Sequence, residues 1–422
     1  MKKLIFVLAA ACTILAGCSG DEPKQGGETD VPENGGTPEE TVVMPVPELT
    51  PAETLAAKGQ TAFGADFFAT VSREYPRQNV MTSPMSASML LSMFANAADA
   101  TTRDQICKLL GCADIDVLNS FSGKYMTWLP GADEGITMSL ANSLWYKQEY
   151  TLNPAFDKVA KEYYTSETLG RDFSKKASLI DEINKWTDLK TRGIIERILD
   201  KIDPKAVAVQ VNALYFKAAW RDKFNAKATS KGDFRGTDGK VKVDMMNKTD
   251  DFRYASTESF EAIELPYGGY GKCSMVIILP KGGRSLDDFI ASDDFRNAAT
   301  TATEFKYIDL SMPKFSIRPS EEIFLNPVLE SMGVENIESM NKWSLFTESI
   351  DAELTVYQKS GITVDEYGTE AAAATWSGWA TSPGPGFEPP TPVKVSIDRP
   401  FAFLIKEKIS GLCLFAGKVN NL

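Results

Sequence analysis

The chain has 422 residues, of which 43% are hydrophobic, and its net charge is −12, from 45 basic and 57 acidic side chains. This composition is typical of a soluble globular protein with a sizeable core, and the acidic excess argues against nucleic acid or anionic lipid as electrostatic partners. The sequence contains no histidine, which excludes Ser-His-Asp and Cys-His nucleophilic sites and metal or haem sites with imidazole ligands. We expect neither a metal nor a cofactor.

The N-terminus is predicted to be a processing signal, residues 1–17, and not part of the fold. A basic start precedes the apolar run Leu4–Leu15, which is too short to remain as a membrane-spanning anchor. The run ends in Leu15-Ala16-Gly17-Cys18, which resembles the lipobox of bacterial lipoproteins. That resemblance implies lipidation of Cys18 and an exported protein, anchored by its lipid at the outer membrane or cell surface of a Gram-negative bacterium. An ordinary secretory signal with a chance cysteine is the alternative.

A disordered tether is predicted at residues 18–50, because this segment is rich in Gly, Pro, Glu, Thr and Asp and has almost no apolar residue before Val42. About 32 residues of flexible chain would reach on the order of 30 Å from the lipid.

Four cysteines follow the tether, and their spacing matches neither a disulfide framework nor a zinc site. We therefore expect buried free thiols at Cys107, Cys112, Cys273 and Cys413.

Helices dominate the first half of the chain and strands the second, which is typical of an α+β domain with a large mixed sheet. Ser83 followed by Pro84 is a good helix start, because a hydroxyl caps the helix and proline suits its first position. A nearly continuous apolar run, Ala206–Lys217, indicates a fully buried central strand. The predicted helices are Thr54–Glu74, the segment after Ser83, Thr101–Leu110 and Leu179–Lys190. The predicted strands are 136–148, Ala206–Lys217, Phe260–Leu265, Cys273–Leu279, Tyr307–Ile317, Leu354–Val364 and Val393–Ile397.

About 27 residues, most of them small, lie between the last two of these strands. A connection of this length without secondary structure of its own is usually functional or disordered. If the segment is extended, its side chains alternate between two faces. One face is small and uncharged and consists of Thr369, Ala371, Ala373, Thr375 and Ser377. The segment could therefore add itself to a sheet without steric or desolvation penalty. A solvated linker or a short surface helix is the alternative.

Several segments, in order along residues 51–422, resemble the serpin family. They are Asn79–Ser86, Val211–Trp220, Met312–Ile317, the hinge-like Gly368–Thr375, and the C-terminal signature Arg399–Ile405 with Leu414–Asn420. The resemblance implies one α+β domain over residues 51–422, with a large mixed central sheet, further sheets, about eight or nine helices and an exposed reactive-centre loop. It also implies a monomeric inhibitor whose partner is a target protease, and not an enzyme.

The mechanism that the resemblance implies is that of a suicide substrate. A protease cuts the loop, an acyl-enzyme forms, and the cut loop inserts into the main sheet as an extra strand that carries the protease with it. The inward side chains of the hinge are small and uncharged, so we predict an inhibitory serpin. The residues implied as the hinge are Glu366, Gly368, Thr369, Glu370, Ala371, Ala372, Ala373, Ala374 and Thr375.

Family spacing implies a scissile bond about sixteen residues after Glu366, at Ser382, which Pro383 follows. Proline after the bond hinders most serine proteases. The bond Thr381–Ser382 is therefore a candidate equal to Ser382–Pro383, and Ala380–Thr381 is the next candidate. The small residues favour an elastase-like or subtilisin-like serine protease, and a cysteine protease is the further option. No Arg or Lys lies between Lys359 and Lys394, which makes a trypsin-like target the least expected.

A hydrogen-bonded group that latches the sheet, here called the shutter, usually contains a histidine in the strand before the hinge. This sequence has Gln358 at that position, while Ser83, Ser86 and Asn212 match the other members. Glutamine both donates and accepts, so the latch can form without the pH sensitivity of histidine. Trp220 matches the tryptophan of the breach, the end of the sheet where the loop enters.

Two other functions stay open at this point. A non-inhibitory serpin would keep the fold as a surface binding or structural protein, and Trp379 on the inward face and Pro383 favour that function. A carboxylate-based enzyme such as a glycosidase needs no histidine, but no motif in the sequence pairs two acids at a site.

Overall fold

The computed structural model describes residues 43–193, 197–204, 206–301, 303–317, 323–335, 337, 343–348, 350, 353–358, 360–369 and 390–422. Nine α-helices and seventeen strands lie in these ranges, and the predicted α+β class is confirmed. The helices are α1 Pro51–Glu74, α2 Pro84–Ala95, α3 Ala100–Leu109, α4 Ile115–Trp128, α5 Pro154–Tyr164, α6 Lys176–Lys190, α7 Leu286–Ile290, α8 Asp293–Thr300 and α9 Asn326–Ser331. The strands are β1 Val80–Thr82, β2 Ile136–Lys147, β3 Ser166–Arg171, β4 Ala206–Ala219, β5 Ser230–Gly236, β6 Gly239–Ser256, β7 Phe260–Tyr267, β8 Cys273–Pro280, β9 Glu304–Pro313, β10 Phe315–Ile317, β11 Ile323–Phe324, β12 Glu353–Gln358, β13 Ile362–Val364, β14 Gly368–Thr369, β15 Val393–Ser396, β16 Phe401–Glu407 and β17 Cys413–Val419.

The central sheet has eight strands and is mixed. Its middle strand is β4, which pairs antiparallel with β2 from Ala208 to Ala218 without a break in register. β3 pairs parallel with β2, and β12 pairs parallel with β4 on its other edge. β11 and β10 complete the sheet beyond β12 and β13. The apolar run in the sequence therefore occupies the centre of the sheet, as predicted.

A second sheet of nine strands packs against one face of β4 and encloses the main core. Phe216 of β4 meets Tyr267 of β7 and Phe415 of β17, with ring centroids 5.4 and 6.1 Å apart. On the opposite face of β4, Val209 and Val211 belong to a separate cluster with side chains of α6. Alternate residues of β4 thus face the inter-sheet core and the helix α6.

Helix starts follow local chemistry. The hydroxyl of Ser83 accepts from the N–H of Ser86 at 3.2 Å, and Pro84 occupies the first turn of α2, as expected of a capped helix. None of the helices in the described ranges combines the length and apolarity that crossing a membrane requires.

Two predicted strands are each divided. Tyr307–Ile317 is split after Pro313, which has no N–H to continue a ladder, into β9 in the second sheet and β10 in the central sheet. Leu354–Val364 is split into β12 and β13. The helices α4, α5, α7, α8 and α9 were not predicted, although Asn153 before Pro154 gives α5 the same cap-and-proline start as α2.

The segment Val43–Thr50, assigned by the sequence to the end of the tether, lies against α4. Trp128 donates its indole N–H to the carbonyl of Met44 at 3.3 Å, and Lys124 donates to the carbonyl of Glu48 at 2.9 Å. The side chain of Met44 packs on the main core. These contacts bind the segment because it contributes apolar side chains that a solvated tether lacks.

Candidate functional site

The hinge begins with a two-residue strand, β14, that lies between β13 and β4 at one end of the central sheet. Thr369 lies opposite Ala218 of β4 on one side and opposite Val364 of β13 on the other, antiparallel to both. Farther along the sheet β4 and β12 are paired directly, up to Asn212 opposite Gln358. Between these regions, residues 213–217 of β4 pair on this edge with no strand of the described ranges. The sheet is therefore closed at one end and parted by a strand at the other.

A tight turn reverses the chain into β14. The carboxylate of Asp365 accepts from the N–H groups of Tyr367 at 2.8 Å and Gly368 at 3.2 Å, as in an Asx turn. Gly368 has a φ of 150°, and a Cβ there would lie 2.1 Å from the carbonyl oxygen of Ala218. Only glycine fits this position, because the backbone of the hinge passes so close to β4.

The side chain of Thr369 is buried, with 2% exposure. Its hydroxyl forms a hydrogen bond with the hydroxyl of Tyr267, whose ring stacks on Trp220 at a centroid distance of 4.4 Å. Burial raises the pKa of Tyr267 well above its usual range, so this hydroxyl stays neutral and can donate or accept. Trp220 donates its indole N–H to the carbonyl of Asp365 at 2.9 Å. The two rings thus hold the turn and the first inward residue of the hinge.

Glu366 anchors the same turn by charge. Its buried carboxylate accepts from the ammonium of Lys314 at 2.7 Å and from the hydroxyl of Thr229 at 2.6 Å. Burial alone would raise the pKa of Glu366, but Lys314 and Thr229 outweigh it and hold that pKa below its ordinary value. Lys314 leads from β9 into β10, so this ion pair joins the turn to the edge of the central sheet.

The shutter joins β12 to the start of α2. The amide oxygen of Gln358 accepts from the N–H of Ser83 at 3.0 Å and from the hydroxyl of Thr82, and its amide nitrogen donates to the carbonyl of Ser83 at 2.9 Å. The hydroxyl of Ser83 donates to the carbonyl of Leu414 at 2.7 Å, and its oxygen accepts from the hydroxyl of Ser86 at 2.9 Å. The neutral amide of Gln358 therefore satisfies three buried polar groups before α2: the hydroxyl of Thr82 and the N–H and carbonyl of Ser83.

Asn212 takes a different partner from the one that the resemblance implies. It lies opposite Gln358 in the ladder, but its amide donates to Asn142 of β2 at 2.7 Å. Asn142 in turn donates to the carbonyl of Tyr164 at 2.9 Å. Asn212 thus ties β4 to β2, on the edge of β4 away from β12.

The profile of the family described as "Serpin (serine protease inhibitor)" matches residues 58–422. The chain belongs to the serpin family. It is 30% identical to Serpin-Z1C of Triticum aestivum, over 87% of this chain and 96% of that protein, and 31% identical to an uncharacterized serpin-like protein of Thermococcus kodakarensis, over 81% and 80%. Its fold matches the native state of the thermophilic serpin tengpin with a TM-score of 0.78 at 28% identity, covering 90% of this chain and 96% of that one. Members of this family are generally protease inhibitors and not enzymes.

In this serpin, the structure brings Ser83, Ser86 and Gln358 together at the shutter, and Trp220, Glu366, Gly368 and Thr369 together at the breach. The other predicted site residues lie outside the described residues: Cys18, the hinge positions Glu370, Ala371, Ala372, Ala373, Ala374 and Thr375, and the bond candidates Thr381, Ser382 and Pro383.

The four cysteines of the serpin domain are free; Cys107, Cys273 and Cys413 are buried, and Cys112 is half-buried. Burial raises the pKa of Cys107 to about 11, so its thiol stays protonated at neutral pH. Within the described ranges, no cluster of three or more His, Cys, Asp or Glu side chains could hold a metal ion.

Three contacts of the site were absent from the sequence predictions: Tyr267 with Thr369, Lys314 with Glu366, and Asn142 with Asn212. Tyr267 and Thr369 are 102 positions apart in the chain, and no local pattern links such distant positions. Lys314 had a signal, because it lies inside the Met312–Ile317 segment that carries the family resemblance.

Proposed function

We propose that this serpin inhibits proteases as a suicide substrate, by cleavage of its loop, trapping of the acyl-enzyme and insertion of the loop between β4 and β12. The observation that carries the proposal is that β14 already lies between β4 and β13 while β4 and β12 are still paired below it. An inserting loop would extend a strand that has begun, along an edge where five residues of β4 await a partner.

The register of β14 fits a complete insertion. If the pairing of Gly368 with Ala219 continued along β4, Thr381 would come opposite Ala206, the first residue of that strand. The inserted segment would then match all 14 residues of β4 and span about 45 Å. It would end at the predicted scissile region, so the cut would free the whole length that the sheet can accept.

Backbone pairing favours this change. The intact sheet has a parallel contact between β4 and β12, and an inserted strand would replace it with two antiparallel contacts. Antiparallel pairing is slightly more stable per residue, and each added residue also gains hydrogen bonds on both sides.

We propose an elastase-like or subtilisin-like serine protease as the target, with a cysteine protease as the further option. The support is the composition of the loop, where small residues surround Thr381 and Ser382 and no basic residue occurs between Lys359 and Lys394.

The alternative is a non-inhibitory serpin. In the same register Trp379 would come opposite Ala208, on the face of β4 that looks into the main core, where Ala208 has 0% exposure. A tryptophan entering so tightly packed a region would force its surroundings apart, and this observation favours a loop that does not insert fully.

The test is incubation with a panel of serine and cysteine proteases, followed by denaturing gels and sequencing of the released C-terminal peptide. We expect an SDS-stable complex with an elastase-like or subtilisin-like enzyme, and a peptide that starts at Thr381, Ser382 or Pro383. The same protease with its active-site serine chemically blocked is the control. Cleavage without a complex, and without a rise in the melting temperature of the cleaved chain, would favour the alternative.

We further propose that Cys18 is lipidated and holds the inhibitor at the outer membrane or cell surface. The support is the lipobox-like Leu15–Cys18. Cys18→Ser should release the protein from the membrane fraction, and protease treatment of whole cells should distinguish the outer surface from the periplasmic face.

A further inference from the structure

Two cysteines lie at the C-terminal end of α3, five positions apart. Cys107 is in the last turn of the helix with 5% exposure, and Cys112 follows the helix and is half-buried. Both thiols are free, and both side chains pack on the main core. Spacing in the sequence does not show whether the two side chains can meet, because that depends on how the helix ends.

Helix α3 ends in a Schellman motif. The N–H of Cys112 donates to the carbonyl of Cys107 at 2.9 Å, which is the longer hydrogen bond of that motif. The N–H of Gly111 donates to the carbonyl of Lys108 at 3.1 Å, which is the shorter one. Gly111 has a φ of 65°, in the left-handed region that the motif requires. The chain therefore reverses after Leu110 and returns Cys112 to the side of Cys107.

This geometry brings the two cysteines within the range of a disulfide. The hydrogen bond of 2.9 Å and standard backbone dimensions keep the Cα atoms of Cys107 and Cys112 within about 6.8 Å of each other. Disulfides join residues whose Cα atoms are about 4.4–6.8 Å apart. The side chains at these two positions of a Schellman motif commonly touch. Burial and, next, the charge of a Cys112 thiolate raise the pKa of Cys107 to about 11, and such an effect of charge requires that the two groups are close.

The turn that carries Cys112 is held against α1. A Cβ on Gly59 of α1 would lie 2.3 Å from the carbonyl oxygen of Leu110 and 2.7 Å from the Cα of Gly111. So close an approach of two backbones requires glycine. Because the turn packs directly on α1, Cys112 stays next to Cys107 in the folded chain.

We propose that Cys107 and Cys112 are a modification site, at which a low-molecular-weight disulfide oxidises the two thiols to an intramolecular disulfide. The thiolate of Cys112, the more exposed of the two, attacks one sulfur of the external disulfide and releases a first thiolate. The sulfur of Cys107 then attacks that of Cys112, loses its proton and releases a second thiolate. Two electrons pass from the protein to the external disulfide, which takes up the two protons and leaves as two thiols.

The redox pair does not depend on the proposed inhibitory function, because no step involves the loop. Exported chains meet an oxidising environment, whereas cytosolic thiols stay reduced, so the export proposed above would favour the oxidised pair. The other two cysteines of the domain are an internal reference. Cys273 in β8 and Cys413 in β17 are separated by β16, which puts them about 10 Å apart, too far for a disulfide.

The experiment incubates the folded full-length chain with glutathione disulfide, traps the remaining thiols with an alkylating agent during denaturation, and maps tryptic peptides without reduction. Trypsin cuts after Lys108, between the two cysteines, so the bond would join the peptides Asp104–Lys108 and Leu109–Lys124. We expect these linked peptides as the main product, with Cys273 and Cys413 alkylated. The map identifies the bond by its peptides, so cysteines before residue 43 do not affect the result.

The second readout is the melting temperature. Oxidation should raise it by about 3 °C, since a closed loop restricts the unfolded chain, and dithiothreitol should reverse the rise. Two variants separate the steps of the reaction. Cys107→Ala keeps the half-buried thiol without its partner, so Cys112 should accumulate as a mixed disulfide with glutathione. Cys112→Ala keeps the buried thiol alone and should stay unmodified. Neither variant should show the rise in melting temperature.

Three results would overturn the redox pair. The first is a wild type that accumulates the mixed disulfide at Cys112 as fully as Cys107→Ala does, because Cys107 would then fail to reach it. The second is the absence of the linked peptides, or their formation only after unfolding. The third is a fall in melting temperature on oxidation, since the bond would then strain the native turn. Protease inhibition enters none of these readouts, so failure of the proposed function would leave the redox pair standing.

Discussion

At the shutter, β4 and β12 are paired directly, and the amide of Gln358 on β12 is hydrogen-bonded to the start of α2. At the breach, by contrast, β14 lies between β4 and β13. The two regions lie along the same strand, yet one is closed and the other is parted. Under the proposed mechanism, the sheet would open from the breach, and the contacts of the shutter would oppose the opening. A strand that grows from the breach meets its first side-chain obstacle at Gln358.

The two regions are also held by different forces. The contacts of the shutter are between neutral groups, namely the amide of Gln358 with Thr82 and Ser83. The breach adds a charged pair, Glu366 with Lys314. Since the chain contains no histidine and an amide does not titrate, acid should loosen the breach and leave the shutter unchanged.

The largest expected effect is at the breach, from Thr369→Arg. A guanidinium cannot occupy the buried position beside Tyr267 without a partner, and its burial costs several kcal/mol, so the hinge should be expelled and the loop cut as a substrate. SDS-stable complexes with the target protease should be lost, whereas Thr369→Ser, which keeps the hydroxyl, should retain them. An arginine variant that still traps its protease would show that insertion does not pass through this position.

A smaller effect is expected at the shutter, from Gln358→Leu. It leaves the N–H and carbonyl of Ser83 and the hydroxyl of Thr82 without their partner, at a cost of about 2–5 kcal/mol. Warming should then convert the intact chain more quickly into an inactive form with an inserted loop, detected by loss of inhibition and by mobility on native gels.

The informative control for the shutter is Gln358→His, the residue usual in the family. A neutral imidazole can donate and accept, but protonation removes its acceptor, so stability should fall as the pH drops through about 6.5. The wild type should show no such step. An equal step in both proteins would mean that another group controls the shutter.

The smallest effect is expected from Glu366→Gln at the breach, about 1–3 kcal/mol at neutral pH from loss of a buried ionic hydrogen bond. Because the folded pKa of Glu366 lies below its ordinary value of 4.5, its stabilisation is complete above about that pH and is lost as the pH falls through the folded pKa. The difference in melting temperature between wild type and variant should therefore be constant near pH 7 and shrink below about pH 4.

Glu304→Gln is the matched control for this prediction. Glu304 pairs with Lys306 at 3.7 Å but is 81% exposed, and exposed pairs contribute little. If the two variants are indistinguishable at neutral pH, the ion pair of Glu366 does not hold the breach.

The sequence predicts much of this site where a local pattern suffices. Alternation along the hinge puts Thr369 on the inward face, and its side chain is buried. Ser83 before Pro84 predicts a capped helix, and the cap is present.

The rest depends on contacts between distant segments. That Tyr267 supports Thr369, and that the docked segment Val43–Thr50 contacts α4, follows from the packing of whole sheets and helices and from no pattern within one segment. The division of Tyr307–Ile317 had a local signal in Pro313, but the sheet that each half joins follows from the packing of distant strands.

The two residues of β14 have a kinetic consequence. The costly step in adding a strand is nucleation, since the first pairs fix the backbone before later pairs stabilise it. In this chain those first pairs exist before any bond is cut, and the contact of Thr369 with Tyr267 fixes which face each later residue takes. Insertion under the proposed mechanism would then be propagation alone, in competition with hydrolysis of the acyl-enzyme, with no time spent searching for a register.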